Sequence, residues 1–151
     1  MNICINKCQL YSNLNYIHHY RAPKTIDEDP KLKQFLDDAG PDGVIYVSFG
    51  SVLKASVMSD DKRKIMLGAF GKLRQKVLWK WETEVMDDKP SNVMLHKWLP
   101  QQDVLGHPNV KLFISHGGQS SFQETICHQT PAVRNDILTH QKLKSMLEFN
   151  R

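Results

Sequence analysis

What this chain has little of already narrows its function. No stretch approaches 18 consecutive apolar residues, the length a membrane-spanning helix needs. The first ten residues lack the apolar run of a secretory signal, so the expectation is a soluble chain. Cysteine is scarce: Cys4, Cys8 and Cys127 cannot all pair with one another, and no C-x-x-C spacing occurs. A Cys4–Cys8 metal pair would need two more ligands, for which His18 and His19 are weak candidates, and free thiols are the expected state. Charge of one sign is also lacking. Lys and Arg number 20 against 16 Asp and Glu, and the positive charges are scattered. That excludes the basic stripe with interleaved aromatics that nucleic acid requires, so no nucleic-acid partner is expected. No G-x-G-x-x-G follows the first strand-like run, which weighs against a dinucleotide-dependent dehydrogenase half.

What is present reads as one globular domain: 151 residues, 40% hydrophobic and 24% charged. A chain of this size buries roughly 68–70% of its unfolded surface. Residues 1–29 read as an irregular segment and a linker bounded by Pro23 and Pro30, and 30–151 as the domain proper. Asp29 caps a short helix with Pro30 at its first position, and Gly40 ends it. Val44 to Phe49 is a β-rich run closed by Gly50-Ser51, where Ser51 is either part of a plain tight turn or a hydroxyl donor to a phosphate. Ser59 or Asp60 starts a helix with the apolar stripe Ile65, Met66, Ala69, Phe70 and Leu73, acids first and bases last. Gly68 and Gly71 inside it would serve close helix–sheet packing. Strands follow at 77–81 and 93–98, then one or two helical turns at 101–107, a strand at 110–115, a helix at about 119–128, a strand at 131–133 and a helix at about 139–149. Such alternation predicts an α/β, Rossmann-like parallel sheet with helices on both faces. Its ligand belongs beyond the carboxyl ends of the strands, at the turns 50–51, 98–101 and 115–121.

The richest stretch is Lys111 to Glu124. An apolar strand ends in Ser115-His116-Gly117-Gly118 and feeds a helix with hydroxyls at Ser120 and Ser121. Free N–H groups and the positive end of the helix dipole make such a junction an anion site, and glycines admit a ligand close to the backbone. His116 adds a donor, and Glu124 in the following helix can accept from sugar hydroxyls.

Taken together, Val44-Ile-Tyr-Val-Ser-Phe-Gly-Ser51, Val77-Leu-Trp-Lys-Trp81, Asn92-Val93, Trp98-Leu-Pro-Gln-Gln-Asp103, His107-Pro-Asn-Val110 and Phe113-Ile-Ser-His-Gly-Gly118, with Ser121, Glu124 and Pro131, resemble the animal UDP-glycosyltransferases. The resemblance covers about residues 30–141 and implies the C-terminal, donor-binding domain of the two-domain GT-B architecture. It implies that Trp98 stacks on uracil, that Gln101 bonds the uracil or ribose side, and that His116 binds phosphate. Gly118, Ser120, Ser121 and Ser51 would add N–H and O–H donors, and Glu124 would bind the ribose. The activity implied is transfer of a hexosyl or glucuronosyl group from a UDP-sugar to a small lipophilic acceptor with inversion. No metal and no cofactor are implied, the UDP-sugar being the donor substrate.

This sequence departs from the family pattern at several places. Gln129 stands where a glycine is usual, Asp136 where a proline is, Ser120 where asparagine often is, and His140-Gln141 where an Asp-Gln pair binds the transferred sugar. Gln141 is thus the remaining sugar ligand. No residue here matches the family's general base, which belongs to a preceding acceptor domain, so no catalytic residue is assigned and the chain reads as a fragment. The alternative function is a UDP-binding module without turnover. Loss of covering segments predicts self-association. Full-length relatives imply the endoplasmic reticulum membrane.

Overall fold

A computed structural model describes residues 26–50, 58–83 and 85–135 of the chain. Ser51, His140, Gln141, Asp136 and the expected last helix lie outside them. Ile26–Glu28 form a single 3-10 turn, so the end of the expected linker is structured. Helix α1, Pro30–Asp37, starts as its sequence dictates: the Asp29 carboxylate accepts from the N–H groups of Lys31 at 3.1 Å and Leu32 at 3.0 Å. Strand β1, Val44–Ser48, is followed by helix α2, Asp60–Phe70, and strand β2, Lys76–Lys80. Strand β3, Val93–His96, leads to helix α3, Gln101–Gly106. Strand β4, Val110–Ser115, helix α4, Gln119–His128, and strand β5, Ala132–Arg134, complete the order.

The five strands form one sheet in the order β3-β2-β1-β4-β5, every pair parallel. Side chains alternate across it, as the pleat requires. Ile45, Val47, Val77, Trp79, Val93 and Leu95 face α2, where Met66, Leu67 and Phe70 cover them. Val44, Tyr46, Leu78, Phe113 and Val110 face the other way, toward Leu32 and Leu36 of α1 and Val104 and Leu105 of α3. Burial on both sides explains why these strands read as continuous apolar runs. Each fully buried Val, Leu or Phe among them stabilises the fold by roughly 1.5–3 kcal/mol.

Polar clasps close the helix ends. Asn92 Nδ2 lies 2.9, 3.3 and 3.0 Å from the carbonyls of Phe70, Leu73 and Gln75, beyond the end of α2. Asn109 Nδ2 donates to Leu36 O at 2.9 Å, and His107 Nε2 meets Asp37 at 3.1 Å, so His107-Pro-Asn109 holds the end of α1. His96 Nε2 lies 2.8 Å from Asp29 and joins the cap of α1 to the end of β3.

Four expectations need correction. The buried stripe of α2 is Met66, Leu67 and Phe70, while Ile65 is 71% exposed: with three apolar residues in a row, the periodicity left the phase of the helix open. The last turn of α2 carries no base. Gly68 packs against nothing, since a Cβ there would meet no atom within 4 Å; only Gly71 is in close contact, with Pro90. Cys127 is not a free thiol but disulfide-bonded; Cys4 and Cys8 lie outside the described residues.

Candidate functional site at the carboxyl end of the sheet

Strand order reverses between β1 and β4: the chain runs outward from β1 to β2 and β3, then returns to build β4 and β5 on the other side. The crevice beyond that switch point is where open α/β sheets bind ligands. The turns that leave β1 and β4 meet there.

The His116 ring is held between two glycines. A Cβ built on Gly50 would lie 2.8 Å from His116 Cε1, and one on Gly118 would lie 2.6 Å from Nε2. Gly50 also has φ +91°, which an L side chain rarely adopts. Both glycines are therefore required by the imidazole. Its Nδ1 is buried with no protein partner among the described residues. Burial first, and then the nearby Arg134 charge, hold the His116 pKa below its ordinary value, so the ring is neutral at physiological pH. A neutral imidazole offers one N–H donor and one acceptor. Gly118 is the N-cap of α4, and no side chain caps that end. The first N–H groups of α4 and the imidazole thus share one corner. Ser120 is exposed there, while Ser121 is buried on the inner face of the helix.

Trp98 follows β3. Its ring is 66% exposed, so it is not a buried anchor of the fold. Lys80, the last residue of β2, connects it to His116. The Lys80 ammonium lies 5.3 Å from the Trp98 ring centroid and donates to Gly50 O at 2.6 Å. Gly50 in turn packs on His116. The three expected turns therefore lie side by side at one end of the sheet, and Trp98 and His116 are not on opposite faces of the molecule. Desolvation lowers the Lys80 pKa, with Glu82 acting in the opposite direction. Lys80 escaped the sequence reading. The available signal was a cation between two tryptophans at the carboxyl end of an apolar strand.

Gln101, the first residue of α3, is held at both ends of its amide. Its Oε1 accepts from the Tyr46 hydroxyl at 3.0 Å, and its Nε2 donates to Ser121 Oγ at 3.1 Å and to Glu124 Oε2 at 2.5 Å. Gln102 Nε2 lies 3.3 Å from the other Glu124 oxygen. Glu124 is thus a fixed carboxylate, half-buried, whose remaining lone pairs are open to a further donor. Among the described residues, no three His, Cys, Asp or Glu side chains gather to hold a metal, and no helix is long and apolar enough to cross a membrane.

Comparison with known proteins gives the family and the fold. Residues 7–146 match the family model "UDP-glucoronosyl and UDP-glucosyl transferase". UDP-glycosyltransferase UGT5 of Dactylopius coccus is 40% identical over 124 residues, covering 82% of this chain and 23% of that protein. Human UDP-glucuronosyltransferase 2B17 is 34% identical over 133 residues, covering 83% and 24%. The chain therefore spans about a quarter of the length of these relatives. Two solved structures share the fold: Os79 from O. sativa in complex with UDP, with a TM-score of 0.58, 24% identity and 68% and 24% of the two chains covered; and a ugt transferase from Siraitia grosvenorii in complex with UDP, with 0.62, 17%, 87% and 35%. The sheet is accordingly the Rossmann-like sheet of a GT-B glycosyltransferase. On the extent of the family match and the identity to relatives, the chain belongs to the UDP-glucuronosyl and UDP-glucosyl transferase family.

Proposed function

We propose that this chain is the donor-binding part of a UDP-glycosyltransferase, and that UDP lies across the crevice from Trp98 to His116. The observation that carries this reading is the contact series Trp98–Lys80–Gly50–His116, which makes three separate turns into one surface. Uracil stacks on the exposed indole, a contact worth roughly 1–3 kcal/mol by analogy with bases on aromatic platforms. Gln101 stands on the uracil and ribose side, and Glu124 accepts from the ribose hydroxyls. His116, the N–H groups of Gly118, Ser120 and Ser121, and the Ser120 hydroxyl take the diphosphate, with Ser51 approaching from the β1 turn. Lys80 adds positive charge between base and phosphate. Gln141 takes the sugar.

The chemistry assigned to this part is electrostatic. As the sugar–phosphate bond breaks, negative charge grows on the departing diphosphate. Donors already aimed at that point stabilise it without reorganisation. In the complete protein, a base from the acceptor domain would deprotonate a small lipophilic acceptor, which attacks the anomeric carbon with inversion. That setting is the endoplasmic reticulum membrane. The chain by itself is a UDP-binding module without turnover, and Phe122 and Ile126 of α4, which are 62 and 44% exposed, supply apolar surface for self-association.

Calorimetric titration of the chain with UDP tests this. Saturable 1:1 binding that is weakened by both Trp98→Ala and His116→Ala is expected. Binding that neither substitution alters would overturn the site.

A further inference from the structure

A line of hydrogen bonds runs from the core to Glu124. The Tyr46 hydroxyl donates to Gln101 Oε1 at 3.0 Å, and Gln101 Nε2 donates to Glu124 Oε2 and to Ser121. Tyr46 is the inner end of this line and is fully buried, its ring stacked on Phe113 with centroids 4.8 Å apart and planes 10° from parallel.

We propose that Tyr46 is a positioning residue for nucleotide recognition: by binding Gln101 Oε1 it fixes the orientation of that amide, and so holds the Glu124 carboxylate in the pose that reads the ribose hydroxyls. The proposal rests on the reading of Glu124 as the ribose ligand. An amide has one acceptor end and one donor end, and a half-turn about its last bond exchanges them. Glu124 only accepts, so it takes the donor end of the amide, but without a partner on Oε1 the other end of the Gln101 side chain is untethered and the Gln101–Glu124 contact is free to shift. The Tyr46 hydroxyl, donating to Oε1, tethers that end. It can do so at every physiological pH, because burial pushes the phenol far above its ordinary pKa and keeps its proton in place. The ring stack fixes the hydroxyl in turn, since the aromatic plane is packed in the core.

Tyr46 touches no ligand in this reading, so its effect must appear as lost selectivity. The full chain is titrated with UDP and with 2′,3′-dideoxyuridine diphosphate, which lacks both ribose hydroxyls. The parent chain is expected to prefer UDP, and Glu124→Gln to abolish the preference. Tyr46→Phe keeps the ring stack and removes only the hydroxyl. It should lower the preference by about two- to tenfold, the range one hydrogen bond controls, with affinity for the dideoxy compound unchanged. In the Glu124→Gln background it should add nothing further. Gln101→Leu cuts the same line one step later without entering the core, and must lower the preference too, which keeps the test decisive if Tyr46→Phe folds poorly. An unchanged preference in either variant, or equal weakening of both ligands by Tyr46→Phe, would overturn the proposal. No preference in the parent chain would overturn the ribose reading itself, and would be seen before any variant is made.

Discussion

Gly118→Ala adds one methyl group at the most crowded point of the crevice. The backbone there tolerates it, since Gly118 has φ −62° and ψ 144°, ordinary extended geometry. The new Cβ would sit 2.6 Å from His116 Nε2 and 2.9 Å from Cε1, where carbon contacts normally settle at about 3.5–4.0 Å. The ring must retreat by about 1 Å, and Gly50 blocks it from the other side. A hydrogen bond of ordinary length stretched that far is no longer one. The loss of one bond to a charged phosphate is worth about 1.5–3 kcal/mol, or roughly 10- to 150-fold in the UDP dissociation constant. Folding stability should fall as well, by about 1–3 kcal/mol, because the crowding of a ring blocked on both sides is added to a poorer N-cap. Gly68→Ala is the control: no atom lies within 4 Å of its Cβ position on the exposed side of α2. It should raise stability by about 1 kcal/mol and leave UDP binding untouched. Calorimetric titration gives the dissociation constants and urea unfolding the stabilities. Equal UDP affinity in the parent and Gly118→Ala would refute the placement of His116 on the phosphate.

Further outcomes are expected elsewhere. Trp98→Ala should weaken UDP binding by about 1–3 kcal/mol yet shift stability by less than about 0.5 kcal/mol, since the ring is mostly exposed; a large loss in urea unfolding would mean the indole is structural. Gln129 ends α4 with φ 56° and ψ 29°, the left-handed conformation that glycine adopts most easily, so Gln129→Gly should raise the unfolding free energy by about 0.5–1 kcal/mol. Burial holds His116 and His128 below the ordinary 6.5. The unfolded chain therefore takes up protons first on acidification, and their contribution, complete above about pH 6.5, is lost as pH falls toward the folded-state values. Replacing both by asparagine should flatten the stability profile between about pH 7 and about pH 5. Asn92→Ala should cost about 1–3 kcal/mol in urea unfolding, by leaving partly buried carbonyls unpaired.

The fold was legible where local rules decide it. Asp29-Pro30 announces the start of α1, and Gly118 the start of α4, because caps are written in adjacent residues. Strand ends were less so: β2 begins at Lys76 rather than Val77, and β3 stops at His96, which frees Trp98 from the sheet. The phase of α2 was hidden by the consecutive Ile65, Met66 and Leu67, among which only the sheet beneath chooses. Much of the site's machinery was not legible, because its partners are distant in sequence. Tyr46 reaches Gln101 across 55 residues, Lys80 reaches Gly50 across 30, and Gln101 reaches Glu124 across 23. No local pattern encodes such pairs. The glycines at 117 and 118 were read as room for a ligand to approach the backbone; in this structure the group packed on Gly118 is the His116 ring and the one on Gly117 is the Arg134 side chain.

The most direct measurement is a crystal structure of the chain soaked with UDP. Uracil is expected flat on the Trp98 indole, with ribose hydroxyls at Glu124 and the diphosphate between His116 and the first N–H groups of α4. A nucleotide bound at some other surface, with the space between Trp98 and His116 filled by solvent alone, would contradict this placement.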